Sequence, residues 1–77
     1  MPRYFFNVHD GHEAIDHEGT ELAGPDDARS QAVVTAGEML RDKGETFWNG
    51  DDWTMDVLDE AGVTVCTLLF AGKRGSL

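Results

Sequence analysis

The segment from Pro25 to Gly44 carries a complete set of helix signals, and it restricts the fold more than any other feature of this sequence. Proline suits the first helical position, and the two aspartates after it complement the positive end of a helix. Cations occupy the last turn, and glycine is favoured where a helix ends. Apolar residues at spacings of three and four predict one buried face, formed by Ala28, Ala32, Val33, Ala36, Met39 and Leu40.

The segment before the helix alternates with the period of a β-strand and then turns. Its apolar face is formed by Tyr4, Phe6 and Val8. The dipeptide Asp10-Gly11 follows, and it is typical of a two-residue hairpin turn whose central positions both need a positive φ. The sequence therefore predicts a hairpin at this point.

The predicted turn also fixes the register of this first hairpin. It pairs His9 with His12 and Phe6 with Ile15, so that Ile15 joins the apolar face of the first strand. The returning strand is then expected to run from His12 to about Asp16.

A second hairpin is predicted after the helix. The polar loop from Glu45 to Asp52 leads to the alternating segment Trp53 to Leu58, and a four-residue acidic turn follows. The segment from Val63 to Phe70 is β-branched and strongly apolar, as in a buried strand.

The order of these signals is β-β-α-β-β, which predicts an α+β fold. We expect a four-stranded, mainly antiparallel sheet with one helix on one face, and the order of the strands stays open. The 77 residues allow one small domain, expected over residues 1–71, and residues 72–77 are expected to form a disordered tail.

One helix covers only part of such a sheet, which leaves apolar residues without an obvious place in the core. The apolar residues that alternate with the expected core residues, and so point to the other face of the sheet, are Phe5, Leu58, Cys66, Leu68 and Phe70. An uncovered apolar face usually marks a partner surface, although the Phe47-Trp48 loop folding over that side would also hide it. The candidate interface residues are Phe5, Leu58, Leu68, Phe70 and Trp48.

The first hairpin contains every histidine of the chain and four acids within residues 9–18. Imidazole and carboxylate are ligands for zinc, nickel or copper. In the predicted register His9 and His12 are cross-strand neighbours on one face, whereas His17 has the opposite parity. Two ligands do not close a metal site, so His9 and His12 are only a weak metal candidate, and a solvated hairpin tip is the alternative.

Charge and cysteine content restrict the function classes. Fifteen acids against six bases give a net charge of −9, which disfavours binding to nucleic acid or to an anionic membrane. The single cysteine excludes an internal disulfide and fits a reducing compartment, and neither a signal peptide nor a membrane span is recognisable, so a cytoplasmic location is expected. With no nucleophile–base pair and no phosphate loop, we expect neither an enzyme nor a cofactor.

Three blocks of the sequence carry a family resemblance. The first is Met1-Pro2-Arg3-Tyr4-Phe5-Phe6-Asn7-Val8 with Asp10-Gly11, the second is Asp16-His17-Glu18-Gly19-Thr20-Glu21-Leu22 with Ala28, and the third is Val57-Leu58-Asp59-Glu60-Ala61-Gly62 with Val65 and Phe70. They resemble a family of very short bacterial proteins, common in rhizobia and related α-proteobacteria, that is classed as a domain of unknown function. The resemblance covers nearly the whole chain, although His12 and His17 depart from the family pattern. It implies a bacterial, cytoplasmic, stand-alone domain, and it implies neither an activity nor functional residues.

These observations favour a small acidic, non-catalytic interaction module. The simplest form is a homodimer that associates through a sheet edge or the uncovered face, and another protein is the other possible partner. The alternative is a small metal- or ligand-binding protein that uses His9 and His12. A third possibility is an acidic decoy that mimics nucleic acid, which the charge of −9 permits.

Overall fold

The computed structural model describes residues 1–50 and 52–77; Asp51, in the predicted polar loop, lies outside the described residues. The strands are β1 (Arg3–His9), β2 (Glu13–Ala14), β3 (Thr20–Glu21), β4 (Trp53–Leu58) and β5 (Thr64–Phe70). The helix α1 (Pro25–Arg41) lies between β3 and β4, and a short 3₁₀ turn (Phe47–Asn49) follows it.

The strands form one antiparallel sheet in the order β2-β1-β4-β5, and β3 pairs with the start of β1. The prediction of an α+β fold with a mainly antiparallel sheet and one helix is therefore confirmed. The returning strand of the first hairpin is shorter than predicted, Glu13–Ala14 instead of His12 to about Asp16, and the further short strand β3 forms after it.

The core lies between α1 and the sheet. Trp53, Met55 and Val57 alternate along β4 and are fully buried, since this strand is flanked by β1 and β5. The helix contributes three alanines at i, i+4 spacing (Ala28, Ala32 and Ala36), whose small side chains let the helix approach the sheet closely. Tyr4 and Val8 of β1 complete the core.

The helix begins at Pro25, as predicted, but its buried face is narrower than expected. Val33 and Met39 were assigned to that face, and both are exposed, Val33 by 61%. The alanine stripe faces the sheet. Because neighbouring positions on a helix point about 100° apart, Val33 points away from the centre of the contact between the helix and the sheet.

The predicted register of the first hairpin is wrong by one residue. His9 pairs with Glu13 instead of His12, because the connection is a loop of residues 10–12. Gly11 has a φ of 96°, whereas no described residue other than glycine has a positive φ, so the predicted turn with two such positions does not form. The shift leaves Ile15 outside the core and exposed.

The prediction of which β5 residues face away from the helix is also wrong. Residues directly opposite each other in an antiparallel pair share a face of the sheet. The pairs are Val57–Cys66, Met55–Leu68 and Trp53–Phe70. The three β5 residues therefore lie on the helix side and not on the opposite face. A β-bulge between Val57 and Leu58 shifts the pairing, and spacing along the sequence does not reveal a bulge.

Within the described part of the chain, no helix has the length and apolar character that crossing a membrane requires.

Candidate functional site

Strand β5 forms an edge of the sheet. Among the described residues it pairs only with β4, so its outer edge offers unpaired backbone N–H and C=O groups. No charged side chain occurs from Val63 to Gly72. Leu69 is 66% exposed there, on the face away from the helix. We call this outer side of residues 64–70 the free edge.

An apolar groove lies beside the free edge, between α1 and β5. Its volume is about 270 Å³, and Val33, Leu40 and Leu68 are among the apolar side chains that line it. Phe70, which is 50% exposed, lies at the end of the groove. The helix side of the sheet is thus incompletely covered at this edge.

Three aromatic side chains, Phe47, Trp48 and Phe70, cluster next to the groove, and we call this cluster the aromatic corner. The Phe47 ring meets the Phe70 ring edge to face at 5.2 Å between centroids, and it meets the Trp48 ring at 5.7 Å. Because the 3₁₀ turn supplies Phe47 and Trp48 and β5 supplies Phe70, the corner joins two distant segments of the chain.

The C-terminal segment passes closely over the aromatic corner. Arg74 donates a hydrogen bond from Nη2 to the Trp48 carbonyl oxygen (3.2 Å), and its guanidinium lies 5.7 Å from the Trp48 ring centroid. A Cβ atom at Gly72 would lie only 2.8 Å from the Trp48 ring. The expectation of a disordered tail stays a prediction, and these contacts are where an experiment would test it.

The face of the sheet opposite the helix carries the other two candidate interface residues. Phe5 and Leu58 are direct cross-strand partners and are half-buried. The loop between β2 and β3 covers part of this pair, since a Cβ atom at Gly19 would lie 2.9 Å from the Phe5 ring. The five candidate interface residues therefore divide into this pair and a group near the free edge: Leu68, Phe70 and Trp48.

Asp16 holds the loop between β2 and β3 against β1. Its Oδ2 accepts a hydrogen bond from the Phe6 N–H (3.1 Å), at the point of β1 between the two short partner strands. Its Oδ1 accepts from the N–H groups of Glu18 (3.1 Å) and Gly19 (2.9 Å). The Asp16 N–H donates to the Asn7 Oδ1 (2.9 Å). The carboxylate thus replaces the missing strand in the middle of this edge.

The pKa of Asp16 reflects these contacts. Partial burial raises the pKa, but the backbone N–H groups of Gly19, Phe6 and Glu18 stabilise the charged form, and nearby His17 adds to this. The net effect lowers the pKa below its ordinary value of 3.8. A lowered pKa indicates that the ionised form of Asp16 is more stable in the folded protein than in the unfolded chain.

The structure places His9 and His12 in different surroundings. His9 lies between two carboxylates: its Nδ1 is 3.7 Å from Glu13 Oε1, and its Nε2 is 3.4 Å from Asp56 Oδ2. His12 lies in the loop beyond β1 and is exposed. The two imidazoles are not cross-strand partners as the predicted register required. Among the residues described, no group of three or more His, Cys, Asp or Glu side chains is arranged to hold a metal ion.

Cys66 lies half-buried on the helix side of β5. Burial raises the pKa of its thiol, and nearby Asp56 raises it further, although Arg29 opposes the change. Nucleophilic cysteines need the opposite shift, because the thiolate is the reactive form.

Two residues that shape these surfaces were not among the predicted site residues. Leu69 is the most exposed apolar residue of β5. The sequence indicated it only indirectly, because β5 has apolar residues at both odd and even positions and one face of the sheet must expose some of them. Asp16 had a weaker signal, an aspartate three residues before a glycine in a polar loop, which is typical of side-chain-stabilised turns.

A family model described as "Domain of unknown function (DUF6894)" matches residues 3–71, which include every strand and the helix. No curated protein and no solved structure matches the chain.

Proposed function

We propose that this chain, which belongs to the family Domain of unknown function (DUF6894), is a small non-catalytic interaction module that pairs with a second copy of itself through the free edge of β5. The observation that carries the proposal is the combination of an unpaired strand edge with a complete lack of charge from Val63 to Gly72.

Edge strands of monomeric proteins are usually protected from pairing. Charged side chains, prolines, covering loops or very short strands are the common means. The described strand β5 has seven residues and contains neither a charge nor a proline. Pairing with another strand satisfies its outer backbone groups, so the occupant we expect is an extended segment of protein.

A partner with a basic surface would find no acid along residues 63–72 to pair with, whereas a second copy of this chain offers an equally uncharged strand. Two copies repel each other through their net charge of −9, and the repulsion is weakest where neither copy carries a charge. An antiparallel pair centred on Thr67 is self-complementary, since it brings Leu69 of one copy opposite Val65 of the other. The groove lined by Val33 and Phe70 would then be covered from the side.

The non-catalytic part of the proposal is supported by the chemistry of the reactive side chains. The raised pKa of Cys66 disfavours a thiolate, and the acids around His9 lie at the surface. A half-buried free thiol is compatible with the cytoplasmic location expected from the sequence.

The test is native mass spectrometry of the untagged protein over a range of concentrations, with the variant Leu69→Glu. The wild type is expected to give a dimer, and Leu69→Glu is expected to give a folded monomer, since a charge at this exposed position costs the monomer little. The matched control is Ile15→Glu, an exposed apolar residue in the loop after β2, which is expected to leave the dimer intact. A monomeric wild type, or a folded Leu69→Glu variant that stays dimeric, would contradict the proposal.

The same spectra test the metal-binding alternative. A stoichiometric metal adduct that disappears when His9 and His12 are both replaced by alanine would favour that alternative. A clean dimer without an adduct would favour the interaction module.

A further inference from the structure

The two flanks of α1 differ in their chemistry. On the flank toward β5, Val33 and Gly37 are exposed, and Val33 lines the apolar groove together with Leu40. On the opposite flank, Gln31 and Thr35 are half-buried, and Gln31 Nε2 donates a hydrogen bond to Thr35 Oγ1 (3.0 Å). The flank toward β5 is therefore the one whose apolar side chains remain open to solvent.

Gly37 lies on this open flank without a structural reason within the single chain. It belongs to α1 and needs no positive φ, and an added Cβ would meet no atom of the described residues within 4 Å. Glycine inside a helix destabilises it relative to alanine. The residue has a physical reason if another backbone approaches the helix closely at this point, because glycine permits such an approach.

The helix follows the free edge. It lies over both β4 and β5. Near its start Arg29 is close to Cys66, and near its end Leu40 borders the groove together with Phe70. The axis of α1 therefore runs alongside β5, and the open flank faces the free edge.

A second copy that pairs through the free edge would bring its own helix to this flank. Residues directly opposite each other in an antiparallel pair share a face, so both helices lie on the same face of the joined sheet. Because α1 lies over β4 and β5, the two helix axes are two strand spacings apart, which is about 10 Å. Packed helices are separated by about 8–10 Å. The proposed pairing of β5 thus places the two helices within packing distance.

The twist of the sheet gives these helices a favourable crossing angle. Adjacent strands are rotated by about 20–25°, so helices that follow strands two positions apart cross at about 45°. The commonest class of helix packing has an angle of about 50° and uses ridges of side chains spaced by four residues. Arg29, Val33 and Gly37 have this spacing, and Arg29 is paired with Asp26 of the same helix (2.6 Å). The ridge therefore brings no net charge into the contact.

The free edge alone is small for a stable dimer. An interface of standard size takes about 20–30 residues from each partner. Strand β5 has seven residues. Contact between the helices adds a second layer to the interface, and it removes the exposed side chain of Val33 from water.

We propose that α1 of one copy packs against α1 of a second copy through Val33, Gly37 and Leu40. This inference rests on the proposed pairing of β5, and it assigns one occupant to the apolar groove, the helix of the partner. The dimer is then a continuous sheet with a pair of contacting helices over its centre.

The test compares Val33→Glu with Val34→Glu by sedimentation velocity over a range of protein concentrations. The two valines are neighbours with exposed fractions of 61% and 54%, but Val34 points away from the sheet and does not line the groove. Val33→Glu is expected to weaken the dimer at least about tenfold, because each copy then places a charge in the contact. Val34→Glu is the matched control, with an unchanged dissociation constant. Circular dichroism checks that both variants are folded.

Gly37→Gln is a second variant that adds no charge. Glutamine favours a helix more than glycine does, so the monomer is expected to be more stable to urea. The longer side chain keeps the two helices apart, and the dimer is expected to be weakened by about tenfold. These opposite changes separate a loss of contact from a loss of folding.

The outcomes distinguish this inference from the proposed function. A monomeric wild type, or a folded Leu69→Glu variant that stays dimeric, would contradict the pairing of β5 and this inference with it. A wild-type dimer that Leu69→Glu disrupts, with equal dissociation constants for Val33→Glu and Val34→Glu, would overturn this inference alone. The groove would then be open in the dimer or covered by another molecule.

Discussion

The two edges of the sheet are protected in different ways. The edge of β1 is covered by two short strands, with the carboxylate of Asp16 bonded to the backbone between them. The edge of β5 is uncovered by any described segment, and no charge interrupts it. One edge of the sheet is thus covered by other segments of the same chain, and we propose that the other edge is covered by association with a second copy. Changes at the first edge should therefore affect folding, and changes at the second should affect association.

The largest expected effect on folding is that of Gly19→Ala at the β1 edge. Gly19 has a φ of 74°, and an added Cβ would lie 2.7 Å from Arg3 Cγ and 2.9 Å from the Tyr4 carbonyl oxygen. We expect the free energy of unfolding to fall by about 3 kcal/mol, from backbone strain and steric overlap together. Urea denaturation measures the change.

Gly62→Ala is the matched control for this prediction. Gly62 also has a positive φ, 82°, but an added Cβ meets nothing within 4 Å. It is expected to cost only the backbone strain, about 1 kcal/mol. Equal losses for the two variants would show that the contact of the loop with β1 does not matter.

Asp16→Asn is expected to lower the free energy of unfolding by about 2 kcal/mol. Removing the charge weakens the hydrogen bonds from the backbone N–H groups of Phe6, Glu18 and Gly19. Glu38→Gln neutralises an exposed acid of α1 and serves as the control, with a change within about 0.5 kcal/mol. Thermal and urea denaturation of both variants give the comparison, and equal changes would contradict a special role for Asp16.

The difference in the free energy of unfolding between Asp16→Asn and the wild type should depend on pH. The folded-state pKa of Asp16 is lowered below 3.8, so its stabilisation is present above that pH and is lost as the pH falls through the folded-state pKa. The two proteins are therefore expected to differ by a constant amount near neutral pH and to converge in acid. Urea denaturation at a series of pH values measures this, and a difference that grows on acidification would be inconsistent with the proposed role.

The smallest effect on folding is expected at the free edge. Thr67 is exposed, and its hydroxyl donates a hydrogen bond to Asp56 Oδ1 (2.7 Å), so a lysine at this position has an acid beside it. We expect Thr67→Lys to change the free energy of unfolding of the monomer by no more than about 0.5 kcal/mol while it abolishes the dimer. Sedimentation velocity, with denaturation at low concentration, separates the two effects. A stable dimer of Thr67→Lys would contradict the proposal that the edge of β5 mediates association.

The sequence predicted those parts of the fold that depend on local signals. The start of α1 at Pro25 follows from a residue suited to the first helical position, and the strand β4 follows from the strict alternation of Trp53, Met55 and Val57. These signals act over a few residues, so they can be interpreted without knowledge of the rest of the chain.

The pairing of the strands was not predictable in the same way. The Asp10 side chain accepts a hydrogen bond from the His12 N–H and helps to form a longer loop than the expected two-residue turn. The bulge after Val57 changes the parity of β5. Both depend on the competition between turn geometries, which a dipeptide pattern does not decide.

The candidate site was predictable only in its composition. Phe70 and Trp48 were named as interface candidates from their apolar character, but their contact with Phe47 depends on how the loop after α1 folds back. Asp10 and Lys43, whose charged groups lie 3.6 Å apart, also come from separate segments. No spacing along the chain brings such residues together.

The central pairing of β1 with β4 has a consequence for the order of folding. Val8 and Met55 are direct partners although they lie 47 residues apart along the chain, whereas β4 and β5 are joined by a short turn. Closing the long loop costs conformational entropy before the contacts between β1 and β4 can form. We therefore expect α1 and the β4–β5 hairpin to form early, and the docking of β1 against β4 to limit the rate at which the sheet is completed.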